Sequence, residues 1–253
     1  MVRKSGVGFL LSLVFVLSTC SVAFSNPLNL NFKKDNVYGS INVGLTFLND
    51  LDYDLAGQTQ HGFTGTGTGT GSFDTAVSYG GAIGYVISDF IRAELELGYQ
   101  KIDYDKVEVT TGGTITNSAG AAVTYTTGNY SVSGEIDALT VSTNVILTPF
   151  GPVTLNGLPF LELLPLDQVT PLIGGGIGFV DWESKINTIA TQAIDGKEDD
   201  TDLLVSIMAG LEYTSSQQVT WAIKYRHAWA DTGKNGIEDA EADNITGSLS
   251  YRF

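Results

Sequence analysis

Sulfur, imidazole and positive charge are all scarce in this chain. Its one cysteine, Cys20, lies in an amino-terminal stretch that reads as an export signal. The mature protein is therefore expected to carry no thiol and no disulfide. Two histidines, His61 and His227, leave little for imidazole catalysis or a transition-metal site. Thirteen basic residues stand against 28 acidic ones, a formal charge of −15. That balance excludes nucleic acid as a partner, since nucleic acid requires a basic footprint. Beyond Phe24 no apolar run approaches the ~20 residues of a membrane-crossing helix. The processed chain is expected either to stay in water or to cross a membrane as strands.

The amino terminus supplies the compartment. Arg3 and Lys4 form a short basic start, residues 6–18 (GVGFLLSLVFVLS) an uncharged apolar core, and Ala23-Phe24-Ser25 a small-residue exit. Together they predict a signal peptide over 1–25, cleaved before Asn26. The alternative is an uncleaved anchor helix, because residues 5–24 are nearly long enough to span. Leu17-Ser-Thr-Cys20 resembles a lipoprotein processing site, with Thr19 where that pattern wants Gly, Ala or Ser. Loss of Arg3 and Lys4 leaves 11 basic against 28 acidic residues and moves the charge from −15 to −17.

Over 26–253, period-two alternation picks out eight segments, about 37–48, 76–87, 90–102, 136–148, 169–182, 203–213, 219–229 and 243–253. In the last, Ile245, Gly247, Leu249, Tyr251 and Phe253 share one face, and Asn244, Thr246, Ser248, Ser250 and Arg252 the other. A tilted strand of that length just crosses a bilayer. A secreted β-sandwich also alternates, with its apolar row inside. The polar row separates the two readings. It is rich in Gly80, Ala82, Gly84, Gly174, Gly176 and Gly178. Glycine gains nothing on a wet sheet face, but the interior of an eight-stranded barrel is so narrow that small residues must alternate with large ones. The predicted fold is all-β, an eight-stranded antiparallel up-and-down transmembrane β-barrel. Its lumen is expected to pair Arg92, Lys224, Arg226 and Arg252 with Glu94, Glu96 and Glu212.

Connections alternate in length as such a barrel requires. Those after the first, third, fifth and seventh strands are long and are placed outside the cell: 49–75, 103–135, 183–202 and 230–242. The fourth link, 149–168, is long and apolar where a periplasmic turn is expected. Thr64-Gly-Thr-Gly-Thr-Gly-Thr-Gly71 reads as a mobile low-complexity tract. The second outer loop, with residual alternation at Val107, Val109, Val123 and Tyr125, suggests strands continuing outward as a hairpin. Asp231, Asn235, Gly236 and Asp239 partly imitate a calcium loop. Gly233 and Ala242 replace two of its ligands, and Leu55 spoils a similar start at Asp50. Solvated acidic loops are the expectation, with no metal and no cofactor. Gly174-Gly-Gly-Ile-Gly178 has neither the spacing nor the following helix of a phosphate cradle. His227 is expected to point outward with no companion serine, so no catalytic residue is assigned.

Three patterns carry a resemblance over the whole mature chain. They are Gly84-Tyr-Val-Ile-Ser-Asp-Phe-Ile-Arg-Ala-Glu-Leu-Glu96, Thr170-Pro-Leu-Ile-Gly-Gly-Gly-Ile-Gly178, and Gly210-Leu-Glu-Tyr213 leading to Lys224-Tyr-Arg226. The chain resembles the small OmpA/OmpX/Opa-like outer-membrane barrels, the porin-like or opacity-type proteins. The resemblance implies residence in the cell outer membrane among its lipids. It also implies that Tyr251 and Phe253 act as an assembly signal for the barrel-insertion machinery. The functional expectation is a non-enzymatic surface protein whose exposed loops contact a host or surface ligand and which supports envelope integrity. The alternative is a small porin-like channel, with a lipid-modifying barrel enzyme behind it. Fold alone does not choose among these roles.

Overall fold

In hydrocarbon a backbone has only itself to bond to, and this chain meets that condition by closing a ring of strands. The computed structural model describes residues 34–54, 59–60, 63–116, 122–150, 152, 169–190, 192–231 and 239–253. Eight strands form the ring: β1 (Val37–Leu48), β2 (Ala76–Ser88), β3 (Ile91–Thr111), β4 (Gly128–Leu147), β5 (Thr170–Ile189), β6 (Gln192–Thr214), β7 (Val219–Ala230) and β8 (Ala240–Arg252). Each pairs antiparallel with the next, and β8 pairs with β1 over 242–252 against 38–48. The proposed cleavage site, Cys20, His61 and most of the 149–168 and 231–242 segments lie outside the described residues.

The two faces divide as the alternation predicts. Ile41, Ile83 and Ile223 point outward and are about two-thirds exposed, at 67, 67 and 66 %. Tyr38, Ser40, Asn42 and Thr46, interleaved on β1, are buried inside, with Ser142, Asn144, Ser206 and Ser248 from other strands. This is the reverse of a water-soluble protein, and lipid is the solvent that makes it stable. Trp221 lies opposite both Tyr213 and Leu249 near the end that carries the short turns. Tyr251 and Phe253 meet edge-on there, their rings 5.6 Å apart. Val141, though outward, is buried because Leu97 and Phe179 flank it on the neighbouring strands.

The expected ends of the fifth and sixth strands need correction, while the third and fourth continue outward as the hairpin that the alternation of the second outer loop suggested. The apolar outward row stops near 102, 136, 182 and 203, but the strands do not; they run on as tall hairpins. Residues 183–189 and 192–202 are therefore strand: β5 and β6 stay paired up to Ile189 opposite Gln192. Above the membrane the solvent changes, and on β3, β4 and β5 the polarity of the faces inverts with it. Ile102, Tyr104, Ile136 and Ile186 now point inward and pack with Val132, Ile189 and Tyr125. Lys101, Glu135, Asp137, Glu183 and Lys185 point outward and form ion pairs across the strands, Lys101–Glu135 and Lys185–Glu183 each at 2.7 Å.

The Thr-Gly tract is also paired rather than free. Thr68–Phe73 joins the outer part of β3 on one side and Leu51–Asp54 on the other. Gly67, at φ +127°, takes the turn into it. Gly71 leaves room for the ring of Tyr53, which a Cβ would meet at 2.8 Å. The outer wall thus gains two strands from a loop that composition alone marks as loose.

Val43 sits near the middle of the lipid-facing surface and is 60 % exposed. Val43→Arg is expected to destabilise the barrel by about 2–4 kcal/mol, and Asp103→Arg on the wet wall by no more than about 0.5 kcal/mol. Urea titration of protein folded into lipid vesicles measures both.

Candidate functional site

The strand period places Arg92, Glu94 and Glu96 of β3 side by side on the inner face, each beneath the next. Their partners come from across the lumen. Arg92 pairs with Glu212 of β6 at 2.7 Å. Glu96 accepts from Arg226 of β7 at 2.5 Å and from Asn144 of β4 at 2.9 Å. Glu94 accepts a hydrogen bond from the phenol of Tyr38, also at 2.7 Å. In register, Gly84 of β2 stands between Tyr38 of β1 and Glu94 of β3. The ring of Tyr38 reaches Glu94 by lying over Gly84, where any Cβ would overlap it. Gly176 does the same for Asn144, which is 0 % exposed. Gly84 and Gly176 are therefore spacers for the large polar side chains opposite them.

This layer divides the interior. Below it a cavity of about 110 Å³ is lined by Arg92, Glu94, Glu212 and Lys224, with Arg252 at its rim. Above it a cavity of about 170 Å³ has Glu96, Arg226 and Asn42 at its lower end. Among the described residues none lines both. A further polar tier crosses the upper cavity. Asn244 donates to Thr46 at 2.6 Å and to Ser78 at 3.0 Å, and Thr46 donates to Gln100 at 2.8 Å.

A model of the outer membrane protein beta-barrel domain matches residues 42–253, more than half of the chain. The chain belongs to that family. It is an outer-membrane β-barrel protein. No curated protein matches it. Among solved structures it is similar to Neisserial surface protein A, at 11 % identity and TM-score 0.44, covering 86 % of this chain and 97 % of that one. It is also similar to the attachment invasion locus protein Ail of Yersinia pestis, at 11 % and 0.33, covering 85 % and 98 %. OprG of Pseudomonas aeruginosa is a third, at 12 % and 0.34, covering 86 % and 96 %.

In this barrel all seven expected lumen ions line one or other of the two cavities, Glu96 and Arg226 the upper and the other five the lower, and four of them form two direct pairs. Lys224 is buried in the lower cavity beside Glu94 and Glu212, whereas Arg252 is exposed at the rim. Tyr251 and Phe253 face outward and are exposed, and the Phe253 amide donates to the Val37 carbonyl at 3.0 Å.

The expectation of a small and ionic interior fails in places. Ile146, Leu172 and Met208 fill the lower lumen, and Ala138, Val180 and Ala230 cluster in the upper. His227 points outward as expected, but Asp243 beside it was not foreseen. His227 Nδ1 lies 2.7 Å from the carboxylate, which also accepts from Tyr225 at 2.6 Å, and Trp229 packs edge-on at 4.3 Å. The signal was present: β7–β8 register puts His227 directly opposite Asp243.

On the wet wall, hydrogen bonds from Lys185 and then Lys197 hold the Glu183 carboxyl down at about 2. Its folded pKa lies below the ordinary 4.5, so its stabilisation is complete above about 4.5 and is lost as pH falls through about 2. Water screens these groups, so less than about 1 kcal/mol is at stake. A carboxyl carbon titration by NMR is expected to show the low value, and Lys185→Met to raise it.

The cross-lumen pairs carry more energy. Arg226→Met leaves Glu96 buried without its cation and is expected to cost about 3–5 kcal/mol. Adding Glu96→Gln to that variant is expected to recover most of the loss, as read from denaturant midpoints in vesicles.

Proposed function

We propose that this chain is a non-enzymatic surface protein, a barrel closed by its ionic layer that holds a stiff β-wall out from the outer membrane for contact with a basic surface. The observation that carries this reading is the length of β3 to β6. They run 21, 20, 20 and 23 residues, roughly twice what a bilayer crossing needs. The excess lifts the wall about 25–30 Å above the lipid at a typical strand rise and tilt.

A wall of this kind has its own apolar core, to which loop one contributes Phe73, ring centroid 4.9 Å from that of Tyr104. Tyr53 also bonds Tyr104, and burial pushes both phenols up, so they stay neutral. A passive connection between membrane strands needs none of this packing. Asp103, Asp105, Glu108, Glu183, Asp199 and Asp200 lie along the wall, which favours a cationic partner over an anionic one.

Two further roles go with this reading. Tyr251 and Phe253, exposed on the lipid face of the last strand, are the element offered to the barrel-insertion machinery. The layer through Glu96, Arg226, Asn144, Arg92 and Glu212 supports a closed barrel over an open channel, because its ions are bonded to each other across the lumen.

The test shortens the β5–β6 hairpin by removing 184–201 and joining its stumps with a tight turn. Cells displaying the shortened protein are expected to lose binding to polylysine-coated beads while the barrel keeps its heat-modifiable gel migration. Unchanged bead binding with a folded barrel would sink the proposal.

A further inference from the structure

The lumen above the Glu96–Arg226 pair is hollow, and what lines it is unlike the layer below. Its cavity of about 170 Å³ is close to the size of engineered apolar cavities that take up benzene. Ile102, Ile136, Val180, Trp182 and Leu204 give it hydrocarbon walls. Space exists because Ala138, Ala230 and Ala240 stand where longer side chains would close it. Gly80 and Gly98, paired opposite each other on β2 and β3, thin the wall further.

Polar groups gather at the lower end, in the middle tier, and at the upper end where the Tyr104 and Ser184 hydroxyls bond each other at 2.8 Å. Glu96 and Arg226 are satisfied by each other and by Asn144, so they make no demand for a charged ligand. Thr46, Gln100 and Asn244 are bonded together. Asn42 differs. It is 8 % exposed, and among the described residues neither its amide nitrogen nor its amide oxygen has a hydrogen-bond partner. An amide buried with both functions unmet is costly, and a ligand that supplies a donor and an acceptor removes the cost.

We propose that the upper lumen is a blind binding pocket for a small uncharged amphiphile. Such a ligand has an aryl or short alkyl body of about six to eight carbons and one hydroxyl or amide directed at Asn42. The ionic layer closes the lower end, so the ligand enters and leaves on the extracellular side. This pocket lies inside the ring and does not depend on the wall's outer face binding anything.

Trp182 is the tryptophan in the pocket, while Trp221 and Trp229 sit on outward rows, which gives a direct readout. The full chain carrying Trp221→Phe and Trp229→Phe is folded into nanodiscs and titrated with benzyl alcohol and, separately, toluene. Saturable change of Trp182 emission is expected with both, over the linear drift from partition into lipid. Ala138→Phe, which fills the cavity, is expected to abolish the saturable part. Ala230→Leu serves the same purpose if that variant fails to show heat-modifiable migration. Asn42→Leu is expected to weaken benzyl alcohol about tenfold while toluene changes little. A response that never saturates, or one that persists in the filled variants, overturns the pocket. Equal weakening of both probes by Asn42→Leu overturns the assignment of the amide.

Discussion

Hydrocarbon gives a backbone N–H or C=O nothing to bond to, and the rest of this molecule follows from that. Every strand in the bilayer must have two neighbours, so the sheet closes. Eight strands close into a tube too narrow to be both open and lined by full-sized side chains. Glycine at 84 and 176 is the geometric answer: each removes a side chain so that Tyr38 or Asn144 can lie across the gap and reach a carboxylate. Ionic groups then become affordable where they find partners across the lumen, as Arg92 does in Glu212 and Arg226 in Glu96. Ring closure, glycine spacing and the paired layer are one constraint expressed three times.

The same constraint explains where the chain was readable. Lipid demands an apolar residue at every second position, and that demand is local, so the eight segments and their faces stand out in the sequence. It ends where the lipid ends. On β3 the last outward residue of the lipid kind is Tyr99; Lys101 follows on the same face, while Ile102 and Tyr104 turn the opposite face apolar. A reading that tracks one row sees the pattern stop there, although only the solvent has changed. Watching both rows together would have shown the strand continuing.

The charge partners were harder to foresee, for a different reason. Which residues face the lumen follows from parity, but which ones touch depends on strand tilt and stagger around the ring. Arg92 finds Glu212 and Arg226 finds Glu96, pairs that join β3 to strands on the far side of the barrel. Tyr38 claimed Glu94, which charge counting would give to a cation. The Asp243–His227 contact is intermediate. It lies between adjacent strands, and only the length of the connecting loop stood between the sequence and its register.

The two ends of the lumen then differ because they face different neighbours. Below the layer the cavity opens among Arg92, Glu212, Lys224 and Arg252, where solvent and ions can share the charge. Above it the ring rises past the lipid into a wall that needs an inside of its own, and the inner face becomes apolar to supply one. Among the described residues β7 and β8 are shorter than that wall, ending at Ala230 and beginning at Ala240. Alanines at 138, 230 and 240 meet there, where larger residues would have completed the core. A packed core favours filling such a space. Keeping it hollow, over a floor of ions that are already paired, makes sense for a chamber that is occupied part of the time, and it separates what the barrel holds inside from what its wall meets outside.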